Sequence, residues 1–134
     1  MKHLDHIGIA VADLEKAINT YKKLLESPCY KRETVEQQKV ETAFFRAGES
    51  KIELLGATAP DSVIDKFVSK QGEGMHHVAF EVDDIYAEMK RLEEEGFTLL
   101  SEEPRPGADD KLVVFVHPKD NCGVLIELCQ STGK

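Results

Sequence analysis

The 134-residue sequence predicts an α+β fold of two tandem β-α-β-β-β modules, their strands forming one curved mixed sheet around a cleft. Three observations predict it. Strand-like and helical runs follow one another in the same order in both halves. Short peptides recur at corresponding points of the halves. Each half also carries one His and one Glu on a strand face otherwise lined by apolar residues.

Leu4–Val11 is a short apolar run of strand type, and Asp13 is placed to cap the helix after it. Leu14, Ala17, Ile18, Tyr21, Leu24 and Leu25 recur at helical spacing, and Pro28 ends the segment. Strands are expected over Tyr30–Val35, Val40–Ala47 and Lys51–Leu55. Ser62 caps a short helix carrying Val63, Ile64, Phe67 and Val68, and residues 71–74 (Gln-Gly-Glu-Gly) form a hinge. The order then repeats: a strand over Met75–Val82, a helix capped by Asp84 with Ile85, Met89 and Leu92 that stops at Gly96, and strands over Thr98–Leu100, Leu112–His117 and Gly123–Leu128. A single domain, 1–134, follows, with module one at 1–56, a linker helix within 57–74 and module two at 75–134.

The copies share residues as well as order. Aligning Asp5–Asp13 with His76–Asp84 matches His6 to His77, Val11 to Val82 and Asp13 to Asp84. The closing strands share Ile-Glu-Leu, at Ile52-Glu53-Leu54 and Ile126-Glu127-Leu128. The offset grows from 71 to 74, so the second copy carries three extra residues between these points.

Side chains alternate faces along a strand. Ile7, Ile9 and Val11 then lie under the first helix, and His6 lies on the far face with Gly8 and Ala10. Ile52 and Leu54 lie on the helix side, with Glu53 opposite. In the second copy Val78, Phe80 and Val82 face the helix while His77 faces away. Val124, Ile126 and Leu128 face the helix while Glu127 faces away. A solvated strand face explains any one of these residues alone, but it gives no reason for His and Glu to recur at matching strands. Two imidazoles and two carboxylates suit a divalent Co, Zn, Ni, Mn or Fe ion. His6, Glu53, His77 and Glu127 are therefore the candidate metal ligands, and an octahedral ion so held keeps two positions for substrate or water. His76 has the parity of the core face and reads as structural. His3 and His117 sit at strand edges. Glu41 shares a face with Ala43 and Phe45, and can face the same cleft.

Composition narrows the partners. A net charge of −8 argues against nucleic acid or an anionic membrane. No apolar run approaches the ~20 residues of a membrane-spanning helix, and Met1–His6 enters a strand pattern without a signal-peptide core. Cys29, Cys122 and Cys129, odd in number and in no CxxC spacing, read as free thiols of a cytoplasmic protein.

With its His, Glu, His, Glu plan, the duplication resembles the vicinal oxygen chelate superfamily of glyoxalase I, extradiol dioxygenases and antibiotic-binding proteins. Longer stretches are similar to the methylmalonyl-CoA epimerase family: residues 4–11 (LDHIGIAV), 72–82 (GEGMHHVAFEV), 104–108 (PRPGA), 117–119 (HPK) and 123–128 (GVLIEL). The resemblance implies a metal-dependent epimerase that interconverts the 2R and 2S forms of an acyl-CoA, methylmalonyl-CoA, by proton transfer next to the thioester, in a homodimer. It implies metal ligands at His6, Glu53, His77 and Glu127, the second being Gln in some members, and a proton-transfer pair at Glu41 and Glu127. Arg105, Lys111 and Lys119 are candidate phosphate or carboxylate contacts. The alternatives are lactoylglutathione lyase (glyoxalase I) with the same ligand plan, an extradiol dioxygenase, disfavoured by the fourth ligand, and a metal-free small-molecule-binding protein.

Overall fold

The structure, a computed structural model, describes residues 1–133. Two compact units make up the chain: His6–His76, and Met1–Asp5 together with the chain from His77 onward. The described residues form eight strands and three α-helices, with β-α-β-β-β order in each copy.

In the first unit the strands are β1 (His3–Val11, from His6 on), β2 (Lys31–Val35), β3 (Val40–Ala47) and β4 (Ser50–Ala57). They stand in the order β2-β3-β4-β1, with β1 and β4 parallel and the other pairs antiparallel. Helix α1 (Leu14–Leu25) starts where Asp13 accepts a hydrogen bond from the Lys16 N–H, and it ends at Glu26 in the left-handed region. Its stripe of Leu14, Ala17, Ile18, Tyr21 and Leu25 packs on Ile9, Val11, Ala43, Phe45, Ile52 and Leu54. Full burial of Phe45 and Leu54 contributes about 2–3 kcal/mol each. Leu24 counts toward the apolar spacing but stays 68 % exposed, because it lies outside that stripe. At Gly56 an added Cβ would meet the Leu14 Cβ at 3.0 Å, so the missing side chain lets the start of α1 sit close on β4. Helix α2 (Val63–Gln71) is capped by the Ser62 hydroxyl, which accepts from the Ile64 N–H.

The second unit contains β5 (Gly74–Glu81, from His77 on), α3 (Ile85–Glu94), β6 (Arg105–Gly107), β7 (Lys111–Val116) and β8 (Ile126–Ser131). The order is β5-β8-β7-β6, with β5 and β8 parallel. Asp84 caps α3 through the Ala87 N–H. Ile85, Met89 and Leu92 pack on Val82, Val114, Val116 and Leu128.

Two expected strands differ. Thr98–Leu100 makes only an isolated bridge, Leu99 to Val116, and the sixth strand is Arg105–Gly107. The Asp120 carboxylate takes the Thr98 N–H, and the chain bends at Leu100 before a ladder can extend. The last strand begins at Ile126 and not Gly123, because Cys122 and Gly123, at φ +60° and +85°, make a turn that strand backbone cannot follow. Val124, expected under the helix, is consequently 42 % exposed.

Candidate metal centre

The first unit builds half of the predicted ligand set. Gly8 on β1 stands beside Glu53 on β4, so His6, two residues earlier, shares the Glu53 face. His6 Nε2 lies 3.2 Å from Glu53 Oε1, and both residues are buried. The second unit repeats the construction. Ala79 stands beside Glu127, His77 is two residues earlier, and its Nε2 lies 3.2 Å from Glu127 Oε1. This pair is buried too, and the His77 ring meets the Phe115 ring edge-on at 5.6 Å. Small residues, Gly8 and Ala79, lie next to each Glu and leave room for the ring two positions away.

The spacing within each pair suits coordination. Metal–nitrogen and metal–oxygen bonds are about 2.1 Å, so neighbouring ligands at a right angle on one ion are about 3 Å apart. His6, His77 and Glu127 each offer a buried atom of ligating type. Among the other histidines, His76 is held edge-to-face against Phe67 of α2 at 5.0 Å, as a structural residue would be. His117 accepts from the Lys119 N–H, and His3 lies near Glu81.

Glu41 does not share the Glu53 face. In the β3–β4 ladder Phe44 stands opposite Glu53, whereas Glu41 stands opposite Gly56, and Ala43 and Phe45 stand opposite Leu54 and Ile52. Glu41, Ala43 and Phe45 do form one face, but it is the face under α1. Parity along a single strand could not say which face was which. The Arg32 Nε donates to Glu41 at 2.9 Å, and the same guanidinium holds Glu15 of α1. The Glu41 carboxylate thus ties β2 and β3 to the helix. Glu41→Gln is expected to change turnover less than ~2-fold and stability by less than ~1 kcal/mol, the scale of a part-exposed ion pair. Steady-state kinetics and a thermal melt check both values.

One buried charge cluster escaped the sequence reading. Lys111 Nζ donates to Asp5 at 3.3 Å, Glu81 at 3.0 Å and Ser131 at 3.3 Å. Burial by itself lowers the Lys111 ammonium, but Glu81 and Asp5 outweigh it and raise it above its usual range. Lys111 is therefore engaged internally and is no phosphate contact. Asp5 gave little warning because it sits beside His6 on a strand edge where carboxylates are commonly solvated. All three cysteines are free, and burial pushes the Cys129 thiol well up. No helix among the described residues is long and apolar enough to cross a membrane.

Comparison with known proteins supplies the family. Residues 5–115 match the Glyoxalase/Bleomycin resistance protein/Dioxygenase superfamily. The human mitochondrial methylmalonyl-CoA epimerase is 42 % identical over 96 % of this chain and 73 % of that protein. An ethylmalonyl-CoA/methylmalonyl-CoA epimerase of Cereibacter sphaeroides is 40 % identical over 95 % of this chain and 96 % of that one. The structure superimposes with a TM-score of 0.95 on a variant of Streptomyces coelicolor methylmalonyl-CoA epimerase in complex with 2-nitronate-propionyl-CoA, at 35 % identity and 99 % coverage of both chains. The chain belongs to the glyoxalase/bleomycin resistance protein/dioxygenase superfamily and, within it, to the methylmalonyl-CoA epimerases.

Proposed function

We propose that this protein interconverts the 2R and 2S forms of methylmalonyl-CoA with the help of one divalent cation held by His6, Glu53, His77 and Glu127. The observation that carries the reading is the twice-built His–Glu pair, buried and at ligand spacing in each unit. Two neutral imidazoles and two carboxylates balance a divalent charge. Bound there, the cation supplies Lewis-acid stabilisation of the charge that develops on the thioester oxygen.

The chain's own residues do the rest. Glu127 takes the proton from C2 of the substrate, and the electron pair passes into the thioester carbonyl. A solvent proton added to the opposite face of C2, with the proton on Glu127 released to solvent, gives the other epimer with no net change in atoms. His77 fixes the Glu127 carboxylate, and Phe115, opposite Glu127 in the β7–β8 ladder, shields it from water.

Hydrogen exchange at C2 tests this. Protein supplied with Co²⁺ is expected to exchange the 2-hydrogen of methylmalonyl-CoA with deuterated water, followed by NMR. Glu127→Gln is expected to slow exchange at least ~100-fold, the scale of a lost general base. No exchange, together with rapid conversion of the methylglyoxal–glutathione adduct, would transfer the assignment to lactoylglutathione lyase.

A further inference from the structure

Cations gather on one face of the first unit although acidic residues outnumber basic ones in the chain, 25 to 17. At the hairpin end of β3 and β4, Arg46 stands opposite Lys51. Lys51 in turn stands beside His6 in the parallel ladder. One step further out, Lys31 on β2 stands opposite Phe44, which stands opposite Glu53. Register therefore puts Lys31, Arg46 and Lys51 on the face that carries His6 and Glu53. The acidic residue of β2 on this face is Glu33, 3.5 Å from Lys31. Glu49 lies in the turn between the strands.

The patch has a floor. The Arg46 guanidinium carbon sits 4.2 Å from the centroid of the Tyr30 ring, and that ring lies 6.2 Å from the buried Phe44 ring. Stacking on Tyr30 holds the plane of an exposed guanidinium and leaves its N–H edges for a planar or tetrahedral oxyanion. Tyr30 itself remains 37 % exposed. Two residues of strand separate Lys51 from Glu53, about 7 Å, before the reach of the side chains is added.

We propose that Arg46, Lys51 and Lys31, with Tyr30 as the platform, form the subsite for the phosphates at the nucleotide end of the acyl-CoA. The assignment rests on the proposed use of an acyl-CoA substrate and adds where its phosphates are held. The substrate's own carboxylate is the competing anion, so the test separates the two. In Arg46→Ala/Lys51→Ala, KM for methylmalonyl-CoA is expected to rise at least ~10-fold, the scale of one lost hydrogen bond between charged groups, with kcat little changed. Methylmalonyl-pantetheine keeps the carboxylate but lacks every phosphate, and its KM is expected to stay the same. An equal rise on both substrates, or no rise on either, would overturn the assignment. Adenosine 3′,5′-bisphosphate, titrated calorimetrically, probes the subsite without chemistry. It is expected to bind the wild type and to bind the double variant at least ~10-fold more weakly. Failure to bind the wild type, or equal binding to both, would also overturn it. If the epimerase reading is wrong, the sign is different: the wild type turns over neither thioester.

Discussion

His77→Ala is expected to yield a folded protein that has lost its metal and its activity together. The imidazole lies on the face away from α3, paired with Glu127 and edged by Phe115, and is not among the residues on which α3 packs. Removing it takes one ligand from the proposed set. Metal affinity should fall at least ~100-fold, more than the loss that follows removal of an outer partner. Exchange at C2 should fall at least ~1,000-fold, since Lewis-acid stabilisation of developing charge is worth several kcal/mol. Metal content by plasma spectrometry and exchange by NMR check the two. The neighbouring His76→Ala is the control: its ring packs on Phe67, so it should lower the melting temperature and leave metal content intact. Full metal content in His77→Ala would sink the ligand assignment.

Lys111→Met is expected to be the most destabilising substitution of a charged residue. The side chain is 8 % exposed and bridges the buried Asp5 and the half-buried Glu81, so its removal takes one cation from both carboxylates. Breaking such an arrangement from one side costs about 3 kcal/mol, or about 10 °C in a domain of this size. The effect also has a pH signature. Burial alone raises the Glu81 carboxyl, but hydrogen bonds from Lys111 and Ser131 outweigh it and hold Glu81 below its ordinary value of 4.5. A carboxyl lowered on folding stabilises above the unfolded value, and that stability is lost as pH falls through the folded value. The wild type should thus lose stability from about pH 4.5 downward. In Lys111→Met the largest of the effects that lower Glu81 is gone and only Ser131 and Lys2 oppose burial, so its carboxyl rises and the gap between the two proteins narrows on acidification. Melting curves at pH 7 and pH 4 read this directly. Equal melting temperatures at pH 7 would show that the cluster adds nothing.

Much of the fold was legible because alternation and helical spacing are local. Asp13, Ser62 and Asp84 announced three helices, each confirmed as a cap. Ile52-Glu53-Leu54 and Ile126-Glu127-Leu128 gave the polarity of their strands, since a Glu between two core residues must point away from them. Glu41 was misplaced because it has no such neighbour pattern: its strand is apolar on both faces, from Val40 and Phe44 on one to Ala43 and Phe45 on the other. Only the ladder partner, Gly56, shows which side it occupies. The contacts among Lys111, Asp5 and Glu81 were invisible for a related reason. These residues are far apart in the chain and no short-range pattern predicts a three-way contact. The cationic patch likewise exists only through register, which brings residues 31, 46 and 51 to one face.

The parallel closure of β1 on β4, and of β5 on β8, constrains how this chain can change in length. A single inserted residue within β4 would turn everything beyond it to the opposite face, sending Glu53 under α1 and an aliphatic side chain toward His6. The same holds for β8 and Glu127. Where the two copies differ in length, the difference falls in the connections: α1 is joined to β2 by residues 26–30 but α3 to β6 by residues 95–104, and β3 to β4 by residues 48–49 but β7 to β8 by residues 117–125. These connections can thus drift, and acquire new surface, while the ladders that carry His and Glu are locked residue for residue.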